Sequence, residues 1–219
     1  MEGLASGFSI FPNRVELNAN NYRQTFTLTN LDEGLKVIQV RLYHWSQKGG
    51  VDVKEISKDL IVMPPVVKLP KGVEKTVRVG FRKPIVADNE LTYRLEFKEI
   101  PKKSETTGVS LAFTQSVPIY YNYNSKWKAR LASKVIDVTS IGAQIEISNS
   151  GFRHTVIKQI QLVDSEKQKT IWQSDNAFAI LSNSLRVFSI SNYEPQVKYL
   201  LEMETRNHGV LQHTLYFEK

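Results

Sequence analysis

Apolar side chains recur at every second position, in short runs, along the whole of this sequence. In TTGVSLAFTQSVPIYY, Thr106 to Tyr121, the residues Val109, Leu111, Phe113, Val117 and Ile119 fall on one face. Ser110, Ala112, Thr114 and Ser116 fall on the other. A period of two belongs to an extended strand with one buried face, whereas the faces of a helix repeat every 3.6 residues or so. Helical spacing nowhere persists beyond two turns. The pattern therefore predicts an all-β chain.

Seven alternating segments occupy the first half: Gly7–Asn18, Gln24–Asn30, Lys36–Gln47, Leu60–Val67, Glu74–Phe81, Leu91–Ile100 and Val109–Tyr121. Loops rich in Asn, Gly, Pro and Lys separate them. Seven short strands over about 100 residues is the pattern of an immunoglobulin-like sandwich. The polar stretch Asn122-Tyr123-Asn124-Ser125 then interrupts, and a second set follows: Arg130–Val138, Ala143–Ser148, Thr155–Val163, Lys169–Gln173, Ser184–Ile190, Val197–Thr205 and Gly209–Phe217. A length of 219 residues suits two domains of ordinary size, and 41% apolar residues can fill two cores. The expected division is an N-terminal immunoglobulin-like domain over residues 1–122, a hinge at 123–127 and a second such domain over 128–219.

Candidate chemistry is sparse. The absence of cysteine excludes thiol catalysis, zinc–thiolate sites and disulfides. His44, His154, His208 and His213 form neither a His-x-His nor an HExxH spacing, so no metal is expected. The sequence has no GxSxG elbow, glycine-rich phosphate loop or paired acid motif. The expectation is a non-enzyme without cofactor. The net charge of +7 comes from lysines scattered along strand faces, with no dense basic cluster interleaved with aromatics. Nucleic acid is therefore not an expected partner. No run of 18 uncharged apolar residues exists, so membrane insertion is not expected either. Trp45, Trp127 and Trp172 read as packing residues. The N-terminus MEGLASGFSIF lacks a basic region followed by a long apolar one; in an exported protein the signal peptide would already be gone.

Four stretches resemble the PapD-like periplasmic pilus chaperones of the chaperone–usher pathway. They are RVEL from Arg14, LIVMPPVVKLPKGVEKTVRVGF from Leu60 to Phe81, LTYRLEFKEIP from Leu91 to Pro101, and VSLAFTQSVPIYY before the polar stretch. Their order and gaps match the family. The resemblance implies two immunoglobulin-like β-sandwich domains in an L or boomerang arrangement, and a location in the periplasm. It implies that the last strand of the first domain is lent to fimbrial (pilin) subunits that lack their own final strand. The subunits would then pass to an outer-membrane usher. Val109, Leu111 and Phe113 would be the lent side chains, with Gln115 and Val117 continuing that face. Burying three such side chains is worth roughly 1.5–3 kcal/mol each before ordering costs.

In the family, an Arg on the first strand and a Lys on the last hold the subunit's terminal carboxylate. Arg14 matches the first, but Pro118 stands where the Lys is expected, which suggests the archaic or alternate branch. Arg94, beside the donor strand, is the candidate replacement, followed by Arg78 and Arg82. Glu90 matches a family position that pairs with a basic residue, yet the expected partner position holds Asn122. The loop Lys102–Gly108 is short, as in the short-loop chaperones. An uncapped apolar edge implies self-association of the free protein. The competing reading is a two-domain surface adhesin or pilus-tip structural subunit.

Overall fold

The computed structural model describes residues 7–101, 112–139, 142–191, 193–194 and 197–217. In the first half lie β1 (Phe8–Phe11), β2 (Val15–Asn18), β3 (Arg23–Asn30), β4 (Lys36–Lys48) and β5 (Val51–Ile56). They are followed by β6 (Ile61–Met63), β7 (Val66–Leu69), β8 (Glu74–Gly80), β9 (Leu91–Glu99) and β10 (Thr114–Asn122). The second half holds β11 (Leu131–Val138), β12 (Ala143–Asn149), β13 (Thr155–Asp164), β14 (Lys169–Ser174), β15 (Phe178–Ile180), β16 (Ser184–Ile190), β17 (Lys198–Thr205) and β18 (Gly209–Tyr216). Among the described residues there is no helix long and apolar enough to cross a membrane.

The first half makes two sheets, ordered β1-β3-β8-β6 and β2-β10-β9-β4-β5, with β7 also paired to β4. Two segments that read as single strands are each divided by proline. Pro12 separates β1, in the first sheet, from β2, in the second; Pro64 and Pro65 separate β6 from β7 in the same way. Proline has no N–H for a ladder, so each interruption lets the chain leave one sheet and join the other. The strand β5 was not legible as a strand, although Gly49 and Gly50, at φ +56° and +82°, make the turn that leads into it. Phe26, Leu28, Val77 and Val79 from the first sheet face Ile38, Leu95, Phe97, Val117 and Ile119 from the second. Phe26 and Phe97 meet edge to face, with centroids 5.6 Å apart.

The second half makes sheets β11-β12-β16 and β14-β13-β17-β18, with β15 paired to β13. Ile145 and Ile147 pack in one core with Ile160, Leu162, Leu201 and Met203. The chain forms two compact units. The first contains residues up to Trp45, Lys54–Ala87 and Leu91–Ser125; the second contains Ser46–Val53, Asp88–Glu90 and the residues from Lys126 onward.

Candidate functional site

In β10 the side chains of Val117, Ile119 and Tyr121 turn into the first core, as the alternation requires. The strand runs antiparallel to β9 from Thr114 opposite Lys98 to Tyr121 opposite Leu91. On its other side it pairs in parallel with β2, but only from Ile119 to Asn122. Among the described residues the strand is therefore paired on one side only from Thr114 to Pro118. The Glu99 N–H donates to the Phe113 carbonyl at 2.9 Å, which orients the main chain. Odd-numbered residues turn their polar groups to β9, and Thr114, Ser116 and Pro118 turn theirs to the unpaired edge. Pro118 thus costs the β9 ladder nothing, since the side on which it lacks an N–H is the open one. Phe113 is 39% exposed at the head of the strand, whereas Val117 is 4% exposed and belongs to the protein's own core. The Gln115 amide donates to the Phe8 carbonyl and ties β10 to β1. Val109, Leu111 and the loop Lys102–Gly108 lie outside the described residues.

Beside this edge, on the outer face of the second sheet, two arginines cover two aromatic rings. The Arg94 guanidinium stands 3.7 Å from the centroid of the Trp45 ring, and that of Arg14 lies 5.1 Å from the Tyr120 ring. The two rings are 6.1 Å apart. Trp45 and Tyr120 point outward from the sheet yet are buried, with the guanidinium groups over them. Stacking uses the face of a guanidinium and leaves its N–H donors directed outward in the plane. Arg94 sits directly opposite Pro118 in the β9–β10 register. A cation from the neighbouring strand therefore lies beside the position where the resemblance implies a Lys. Arg14 also pairs with Glu16. Trp45, read from the sequence as packing alone, is also the platform for Arg94.

Arg78 and Arg82 lie elsewhere, on β8 and just beyond it, in the other sheet; with Arg23 they line a cavity. Glu90 belongs to the second unit and is fully buried there. Its Oε2 accepts from the His154 N–H at 2.8 Å and lies 2.6 Å from the His154 ring Nδ1. Arg153 Nε stands 3.8 Å from its other oxygen. No group of three His, Asp or Glu side chains among the described residues could hold a metal ion.

No curated protein sequence matches the chain. Solved structures do. One is the CsuC–CsuE chaperone–tip adhesion subunit pre-assembly complex from the archaic chaperone–usher Csu pili of Acinetobacter baumannii. Its chain matches with a TM-score of 0.73 at 20% identity, over 98% of this chain and 100% of that one. The class 5 fimbriae chaperone CfaA matches at 0.64 and 17% identity, over 95% and 99% of the two chains. The complex of the Salmonella enterica SafA pilin with the SafB chaperone gives 0.64 at 12% identity, over 98% and 97%. These likenesses bear out the two immunoglobulin-like β-sandwiches expected from the alternation. Residues 7–123, more than half of the sequence, match the PapD N-terminal domain model, and the chain belongs to the pili and flagellar-assembly chaperones.

Proposed function

We propose that this protein is a periplasmic chaperone that holds incomplete fimbrial subunits by lending them the β10 strand and delivers them to an outer-membrane usher. It does so without cofactor or catalytic step. The single observation that supports this reading is the unpaired edge of β10 between Thr114 and Pro118. A subunit without its last strand has an open groove and an edge of unsatisfied N–H and C=O groups. An extended strand answers both, because main-chain hydrogen bonds give affinity and alternate side chains fill the groove. Chaperone–pilin donor-strand complementation is an established example of this mode. Phe113 and Gln115, with Val109 and Leu111 before them, are the side chains offered, while Val117 anchors the strand in the host. Arg14 and Arg94 hold the subunit's terminal carboxylate, which would be costly to bury without a cation.

Periplasmic co-expression with a fimbrial subunit lacking its last strand, followed by affinity capture of the chaperone, tests both parts. Wild type recovers a soluble one-to-one complex, and Phe113→Asp loses it. Arg94→Ala reduces recovery by about tenfold, in line with the loss of one charge-assisted hydrogen bond, and Arg78→Ala leaves it unchanged. Equal recovery by wild type and Phe113→Asp would end the donor-strand reading. A loss with Arg78→Ala but not with Arg94→Ala would move the anchor to β8.

A further inference from the structure

The first unit carries a second built feature, on the solvent face of the sheet that does not contain β10. There β8 turns Val77 and Val79 into the core and leaves Arg78 and Gly80 facing outward, with Arg82 next on the same side. The register places Arg23 on one side of Gly80 and Ile61 on the other, with Met63 beside Arg78. Gly80 has no side chain, so the face dips between its neighbours. A Cβ there would stand 2.5 Å from the Tyr22 carbonyl oxygen and 2.7 Å from both Cα and Cγ of Arg23, because the neighbouring backbone and the Arg23 side chain lie close across the glycine. Arg23 is held in place as its Nη2 donates to the Arg82 carbonyl at 3.2 Å. Ile61 and Met63, 41% and 60% exposed, form an apolar wall on the edge strand. The resulting cavity has a volume of about 480 Å³.

Arg23, Arg78 and Arg82 line this cavity, the Arg23 guanidinium also lying over the Tyr22 ring, and among the described residues no carboxylate lines it. Like charges gathered without counter-charges repel one another, and an anion relieves that repulsion. Guanidinium forks match a carboxylate in particular, since they can donate to both of its oxygens. The exposed Ile61 and Met63 are complementary to hydrocarbon, and the volume lies within the range of about 300–1,000 Å³ common to small-molecule sites.

We propose that this cavity binds an organic carboxylate with an apolar body. The carboxylate lies among Arg23, Arg78 and Arg82, and its hydrocarbon lies against Ile61 and Met63. The site is independent of β10 and of any subunit.

Titration of the full chain with decanoate, below its micelle concentration and without any pilin, tests the proposal by nuclear magnetic resonance. Saturable shifts are expected at the Gly80 amide and at the Ile61 and Met63 methyl groups. Decanol keeps the body without the charge, and acetate keeps the charge without the body; each should bind about tenfold or more weakly. The double variant Arg78→Gln, Arg82→Gln should weaken decanoate by about tenfold, with the amide spectrum elsewhere unchanged. Met63→Gln should weaken it by a smaller factor. Three results would overturn the proposal: decanol binding as tightly as decanoate, shifts equally large at β10 or in the second unit, or no saturation in wild type. An acidic peptide that saturates the same resonances where decanoate fails would assign the cavity to a protein partner instead.

Discussion

Glu90 carries no exposed side-chain atom, and one residue, His154, meets it with both a backbone N–H and a ring nitrogen. Truncation to alanine leaves those groups buried without an acceptor. Glu90→Ala should therefore destabilise the second unit by roughly 3 kcal/mol, and Glu90→Gln, which keeps an acceptor, by less. Urea unfolding followed in the second unit measures the difference. Tyr93 makes a separate case in the first unit. Burial, and then the Asp59 carboxylate that accepts from its hydroxyl at 3.0 Å, hold the Tyr93 phenol far above its usual range. The unfolded chain releases this proton near pH 10 while the fold retains it. The contribution of Tyr93 is thus complete below about pH 10 and is lost as pH rises further. Tyr93→Phe should flatten the alkaline arm of the stability profile, read from urea midpoints between neutral pH and pH 11. At this scale the sequence was partly legible. The RVEL motif and the strand next to β10 singled out Arg14 and Arg94 as candidates, and the structure places the two over adjacent aromatic rings. The partner of Glu90 was not legible, because His154 lies 64 positions away and only tertiary packing joins them.

Along β10, neighbouring positions of the same parity have different roles. Val117 is packed among Ile119, Leu95 and the facing sheet, whereas Phe113 stands partly in solvent. Val117→Asp should destabilise the first unit by roughly 3 kcal/mol or more, since it buries a charge without a partner. Phe113→Asp should leave the midpoint within about 0.5 kcal/mol while abolishing subunit capture. Chemical denaturation and capture, run on the same two variants, separate packing from lending. Period-two alternation located most strands because it reports burial on one face directly. It did not report that residues 7–18 and 60–67 change sheets, since inward-facing side chains look alike in either sheet of a sandwich. The prolines at positions 12, 64 and 65 were the available signal. The short β15 has too few residues for a period to register.

At the scale of the whole chain, the two units are interleaved in sequence. The second unit includes Gln47, whose amide donates to the Ala179 carbonyl at 2.9 Å and whose carbonyl accepts from the Leu181 N–H at 3.0 Å. It also includes Asp52, which accepts from Arg186 at 2.7 Å. A fragment beginning at Lys126 lacks these groups as well as Glu90. It should be less stable than the same unit in the intact chain by about 3 kcal/mol or more, read as lost amide-exchange protection at Leu181 and His154. Membership of segments 46–53 and 88–90 in the second unit is a long-range association that no local pattern encodes. The asymmetric pairing of β10 has a mechanical consequence. From Ile119 onward the strand is gripped on both sides, and the Tyr121 hydroxyl donates to the Ile85 carbonyl at 2.7 Å, so its root is fixed. Ahead of Ile119 it is backed along its length by β9 and, among the described residues, open on its other edge, like a shelf fixed to a wall along its back. A guest strand laid on that open edge pulls against the whole β9 ladder, so the seam expected to part first is the one between guest and shelf.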